Sequence, residues 1–332
     1  MKKRKDAFLV KDVDGTFSVV MAIMPRRYDA TNYTFLDIDC APIDAYIAKK
    51  RLEGEKYNYM HIMIAAVVRT FAMRPKLNRY TMNCRLYERY RVTVSFTIKQ
   101  ALKDDAEEIT IKHTFVGNET LSEIRDTLER IINENLESAG AVNASQRKAD
   151  SIGSMPVFAA KFLVGTLRHM DRRNIMPKAF EKISPFHTSF FITNLKSIKT
   201  ETVVHHCYDF GTTSIFIAMG KEKMKAMVDE NHNVVAKKIL TLGISADERI
   251  CDGLYFGKSF HLAKRLLVNP ENLEEEYHDE KIDAELEKER VLKEKKSKKQ
   301  AKNNEKTSKK ALKTAKKELK IAKKVAKSRA KA

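Results

Sequence analysis

From Glu274 onward the chain holds almost nothing that could be buried, which confines any hydrophobic core to the first 273 residues. Residues 274–292 carry 9 acids and 3 bases, and residues 293–332 carry 18 Lys/Arg against 3 Glu, a net +15. In that last stretch Leu312, Ala315, Leu319, Ala322 and Ala326 recur at spacings of three and four, so a solvated helix or a disordered extension is expected and a packed layer is not. A lysine run of this kind also suits nucleic acid or another polyanion, because basic side chains displace condensed counterions. The formal net charge of the whole chain is +19, and residues 1–273 account for only +10 of it. That moderate excess suits plain solubility and equally an anionic ligand.

Two units follow, 1–273 and a charged tail at 274–332. The first can bury a substantial core without disulfides or metal. Cys40, Cys84, Cys207 and Cys251 are scattered, none forms a C-x-x-C pair, and no secretory signal opens the chain. A reducing, cytoplasmic setting is expected. The longest apolar stretches, 60–68 and 156–167, fall short of the roughly 20 residues that span a bilayer, so no membrane span is expected.

Within the first unit, residues 17–24 alternate loosely before Pro25 and are expected to form a strand. Residues 41–51 and 57–73 have apolar residues at helical spacing, the second closed by Pro75. Residues 80–99 and 108–116 are strand-like, 120–132 returns to helical spacing, and a further helix follows Pro156. Strand candidates come next at 188–195, 213–219 and 234–244. Gly253 opens a last helix that Asn269-Pro270 ends. The pattern is α/β, or α+β in two layers, with long strands.

Near the end of the core-forming part stands Ala246-Asp247-Glu248-Arg249-Ile250-Cys251-Asp252-Gly253. With Pro75-Lys76-Leu77-Asn78, Phe190-Phe191-Ile192-Thr193-Asn194-Leu195 and Asn269-Pro270-Glu271-Asn272-Leu273, it forms an ordered series of motifs. The series resembles the catalytic domain shared by chloramphenicol acetyltransferase and the dihydrolipoyl acyltransferases of 2-oxoacid dehydrogenase complexes. The resemblance spans roughly residues 10–273 and implies a mixed sheet packed by helices, with the lysine-rich extension added.

It implies an acyl transfer between a coenzyme A or lipoyl thiol and a small acceptor, with coenzyme A thioester as co-substrate, no metal and a homotrimeric assembly. The base position of the family's His-x-x-x-Asp-Gly segment is Glu248 here. Thr193 takes the place of the hydroxyl that stabilises the oxyanion. Asp252 matches a structural aspartate paired with an N-terminal arginine, for which Arg26 or Arg27 is available, and Asn194 supports the site beside Thr193. No lipoyl domain precedes the motifs, so a free-standing trimer is expected in preference to a dehydrogenase core.

The histidine-to-glutamate change alters the energetics. Moving a proton from a thiol of pKa about 8.5 to an imidazole of about 6.5 is uphill by roughly 2.7 kcal/mol, and to a carboxylate of about 4.3 by roughly 5.7. A catalytically inactive relative acting as a binding or scaffold protein, with its tail on a polyanion, is therefore the alternative reading. His205, His206 and His261 could stand in as base, although nothing in their spacing aims them at Thr193. Taken locally, Thr193 reads as a β-former packing its methyl, and Asp252-Gly253 as a turn and helix cap.

Overall fold

The computed structural model describes residues 4–99, 108–137, 153–229, 231–280, 282–284 and 287. The lysine-rich run at 293–332, with the polyanion contact expected of it, lies outside the described residues. The chain divides into two compact units, 1–277 and 278–332. Residues 274–277 are tied into the first: Glu274 accepts a hydrogen bond from Tyr46 at 2.8 Å, and the Tyr277 ring lies 5.5 Å from the Arg69 guanidinium. In the second, His278 and Asp283 come within 4.0 Å.

The first unit is built on a six-stranded mixed sheet. Its strands, in chain order, are β2 (Thr31–Asp39), β5 (Val92–Lys99), β6 (Glu108–Phe115), β7 (Phe190–Asn194), β8 (Ile215–Val228) and β9 (Val234–Asp247). Their order across the sheet is β2-β9-β8-β7-β5-β6, with β7 parallel to both neighbours and every other pairing antiparallel. A small antiparallel sheet of β1 (Ala7–Leu9), β4 (Arg85–Arg89) and β3 (Arg79–Met82) stands beside it.

Side-chain alternation gives the large sheet two unlike faces. One presents Phe190, Ile192, Ile217, Met219, Leu242 and Ile244 to a core shared with helices α2 (Cys40–Leu52), α3 (Tyr59–Met73), α4 (Leu121–Glu137) and α7 (Gly253–Val268). Helix α3 is apolar nearly all round and buried from His61 to Phe71, as a helix at the centre of a core must be. Asn58 caps its start by accepting from His61 N–H at 3.0 Å, and Pro75 stops it.

The other face presents Tyr33, Phe35, Gly243, Ser245, Phe216, Ala218, Phe191 and Thr193, and no helix of the core cluster packs there. Instead the segment 199–212 crosses it as a strap. The crossing depends on glycine. A Cβ on Gly220 would come within 2.6 Å of the Thr202 amide nitrogen, and one on Gly243 would collide with the Val203 carbonyl. Bare backbone at these two positions lets the strap lie flat on the strands.

One expectation fails outright. Residues Gly15–Ile23 form helix α1, not a strand. Val19 to Ile23 are apolar without a break, so period 2 and period 3.6 are equally satisfied, and the Asp14 carboxylate decides by accepting from Thr16 N–H at 2.8 Å. Helices α5 (Val157–Arg172) and α6 (Lys178–Ile183) complete the set used below.

Candidate functional site

Thr193 stands at the end of β7 on the strap-side face, in register with Ala218 of β8, which is itself paired with Gly243 of β9. The strap brings His205 over it. Thr193 Oγ1 and His205 Nε2 are 3.1 Å apart, and both residues are half-buried. The strap's path is held on either side of this contact. Thr202 Oγ1 donates to the Ala218 carbonyl at 3.0 Å, and Arg27 Nη1 donates to the Tyr208 carbonyl at 2.6 Å. Below lie the stacked rings of Phe191 and Phe216, 5.2 Å apart, with buried Cys207.

Burial pushes the His205 imidazole below its ordinary pKa, and His206 next door adds to the shift. It is therefore neutral near pH 7 and able to take up a proton. His206 itself is exposed and lies 3.3 Å from the Tyr33 hydroxyl, while His261 is exposed on α7. The expectation that no histidine is aimed at Thr193 is corrected for His205. Twelve residues of chain separate the two, and only the strap's path closes that gap. The one trace of it in sequence is a glycine within each of two strands.

Glu248 sits at the far end of β9. Its amide donates to the Ala30 carbonyl at 2.9 Å, and its carboxylate accepts from Asn32 Nδ2 at 2.7 Å. Five residues along β9 and two strands across separate it from Thr193, which at about 3.3 Å per residue and about 4.8 Å per strand is on the order of 20 Å. Within one chain the two do not meet.

The residue before it anchors the corner. Asp247 is fully buried and accepts from Arg249 Nε and Nη2, each at 2.8 Å, while Arg27 Nε lies 3.5 Å away. Arg27 also donates to the carbonyls of Tyr208, Gly211 and Thr81, so this one guanidinium ties strap, β3 and β9 together.

The expected ion pair between Asp252 and Arg26 or Arg27 is corrected accordingly. Arg27 serves Asp247, and Arg26 donates to the Tyr28 hydroxyl with its guanidinium over the Tyr28 ring. Asp252 is exposed and caps α7, accepting from Tyr255 N–H at 2.8 Å, a backbone bond that holds its carboxyl below the ordinary range. Asn194 caps the turn after β7 by accepting from Ser197 N–H at 3.2 Å.

A second polar constellation escaped the sequence reading. His187 Nε2 lies 3.1 Å from Asp171 Oδ2 and its Nδ1 lies 2.8 Å from Ser184 Oγ. All three residues are buried, Arg4 holds the carboxylate from its other side at 3.3 Å, and none of the three lines a described cleft. They staple α5 to the chain entering β7. Burial pushes the Cys207 and Cys251 thiols up to about 12, which keeps these two protonated near neutrality. Among the described residues no group of three or more His, Cys, Asp and Glu is placed to hold a metal ion, and no helix is long and apolar enough to cross a membrane.

The mixed sheet with helices packed on one face is the chloramphenicol acetyltransferase-like fold that the motifs lead one to expect. Residues 188–274, which contain both Thr193 and Glu248, match the family model of the 2-oxoacid dehydrogenases acyltransferase (catalytic domain). Dihydrolipoamide acetyltransferase of Azotobacter vinelandii superposes with a TM-score of 0.50 at 13% identity, covering 80% of this chain and 93% of that one.

A truncated catalytic core of the 2-oxoacid dehydrogenase complex from Thermoplasma acidophilum gives 0.46 at 11% identity, over 79% and 98%. A chloramphenicol acetyltransferase gives 0.47 at 10%, over 79% and 99%. None of the curated proteins matches the chain in sequence. The resemblance read from the motifs is thus met by the family model over residues 188–274 and by the fold.

Proposed function

We propose that the protein transfers an acyl group between the thiol of a carrier, coenzyme A or a lipoyl group, and a small acceptor, with His205 as the base and Thr193 as the oxyanion donor. The observation that carries this reading is the 3.1 Å contact between Thr193 Oγ1 and His205 Nε2 on a half-exposed sheet face. In the resting state the hydroxyl donates to the neutral imidazole. When an acceptor gives its proton to Nε2 and attacks the thioester carbonyl, the imidazolium becomes the donor to Oγ1. The threonine O–H is then released to point at the tetrahedral oxyanion. Collapse expels the carrier as thiolate, which takes the proton back from Nε2, so the step balances. A cleft of about 330 Å³ opens on the same face beside the strap, lined by Phe35, Thr202 and Thr241 among others, with neither Thr193 nor His205 in its wall.

A second reading keeps Glu248 as base. Its separation from Thr193 requires the carboxylate of one chain to serve Thr193 of another, and the homotrimer implied by the resemblance would supply that second chain. The hydrogen bond from Asn32, which orients the carboxylate, favours it.

Release of free thiol from acetyl-coenzyme A, followed with a thiol-reactive dye across candidate acceptors, tests both. His205→Gln is expected to lower turnover by roughly 10²–10⁴-fold with Glu248→Gln near wild type, the range of a lost general base. The reverse pattern transfers the role to Glu248. Absence of turnover in the wild type with every thioester tried overturns both and leaves the inactive, binding relative.

A further inference from the structure

We propose that a three-arginine cleft at the far end of the strap binds a phosphate monoester. The inference is independent of the acyl-transfer reading. The cleft, about 430 Å³, is lined by Pro25, Arg26, Tyr28, Arg168, Arg172 and Asp209. Arg168 and Arg172 are exposed and one turn apart on α5, so they share a face. Arg26 comes from the loop after α1, its guanidinium 5.7 Å from the centre of the Tyr28 ring and donating to the Tyr28 hydroxyl.

The walls are fixed by contacts outside the cleft. Asn83 Nδ2 donates to the Arg172 carbonyl at 2.8 Å, and Asp209 Oδ1 accepts from the Arg27 amide at 3.1 Å. Asp209 is the lone carboxylate in the lining and stands 4.0 Å from Arg172, at the outer limit of an ion pair. Among the described residues Arg168 has no ion-pair partner.

Three cations against one anion leave a net of +2, the complement of a phosphate monoester dianion. Guanidinium forks engage phosphate oxygens in pairs, and a cleft of this volume takes a phosphate with a small organic group attached. The fold itself gives Arg168 no reason to be there. Arg172 in the last turn is favoured by the helix dipole, but that effect fades within a turn and does not reach Arg168. Three like charges around one hollow repel one another, and a bound dianion removes the repulsion.

The phosphate can belong to a free ion or to an ester, and the test separates the two. Inorganic phosphate and phenyl phosphate are titrated calorimetrically into the full chain at about 0.15 M NaCl, near physiological ionic strength. The wild type is compared with Arg168→Gln/Arg172→Gln and with Arg26→Gln, so that the lysine-rich tail is present in every sample and cancels. Phenyl phosphate is expected to bind the wild type at least about tenfold more tightly than the double variant, with Arg26→Gln between, as loss of charge-assisted bonds requires. Equal binding by all three proteins overturns the proposal, and so does binding of inorganic phosphate but not of the ester. Unchanged far-ultraviolet circular dichroism shows that the variants fold. Because binding is read directly, the cleft is tested even in a protein that shows no acyl transfer.

Discussion

Two polar clusters stand at opposite ends of the large sheet's strands, and they differ in how far water reaches them. At the end of β9, Asp247 is fully buried between Arg249 and Arg27, with both carboxylate oxygens engaged. At the end of β7, Thr193 and His205 meet each other and remain half-exposed. A buried, saturated ion cluster specifies how segments join; a half-open pair of neutral groups retains the capacity to exchange a proton with a substrate. The motif that resembles a catalytic signature therefore contributes architecture through Asp247 and Arg249, while the chemistry we propose gathers around a histidine outside it.

That contrast can be broken in order of decreasing effect. Asp247→Ala leaves two buried guanidinium groups without their carboxylate and is expected to cost about 3–5 kcal/mol, measured by urea denaturation. A loss below about 1 kcal/mol, the range of surface pairs, would place the cluster among dispensable contacts. Thr193→Val keeps shape and removes the hydroxyl. Turnover is expected to fall by roughly 10²–10³-fold, the effect of one lost oxyanion donor, with stability little changed. An unaltered rate would show that Thr193 only packs its methyl.

Gly243→Ala links the two regions, because its methyl would press on the Val203 carbonyl and lift the strap that carries His205. Overpacking of this kind costs about 1–3 kcal/mol, and turnover should fall with it. Full activity in that variant would mean that the strap's seating is irrelevant. The smallest effect is on pH. His205 must be neutral to accept a proton, and its pKa is depressed by burial and by His206. kcat/KM should therefore be flat through neutrality and fall only below about 6.5. A profile that already falls above pH 7 would show that a neutral His205 is not the base.

Much of the fold is legible in residue order. Helix α3 announces itself by its apolar residues at helical spacing and by Pro75. Helix α7 is bracketed by Asp252-Gly253 and Asn269-Pro270, and the strands β7 and β9 fall where their apolar alternation puts them. Short-range signals suffice there because caps and periodicity act within a few residues. Helix α1 is not legible in the same way, because an unbroken apolar run satisfies two periods at once. Nor is the pairing of Arg27, expected on Asp252 and found on the buried Asp247.

What the residue order determined by itself is the place of most elements and the chemistry available at each motif. What only the tertiary structure decided is which of those groups meet. Thr193 and His205 are neighbours because a strap settles on two glycines, and Glu248 is remote because five residues of extended strand carry it away. Local propensity reaches a few residues; proximity across a sheet depends on strand register and on where bare backbone permits close approach.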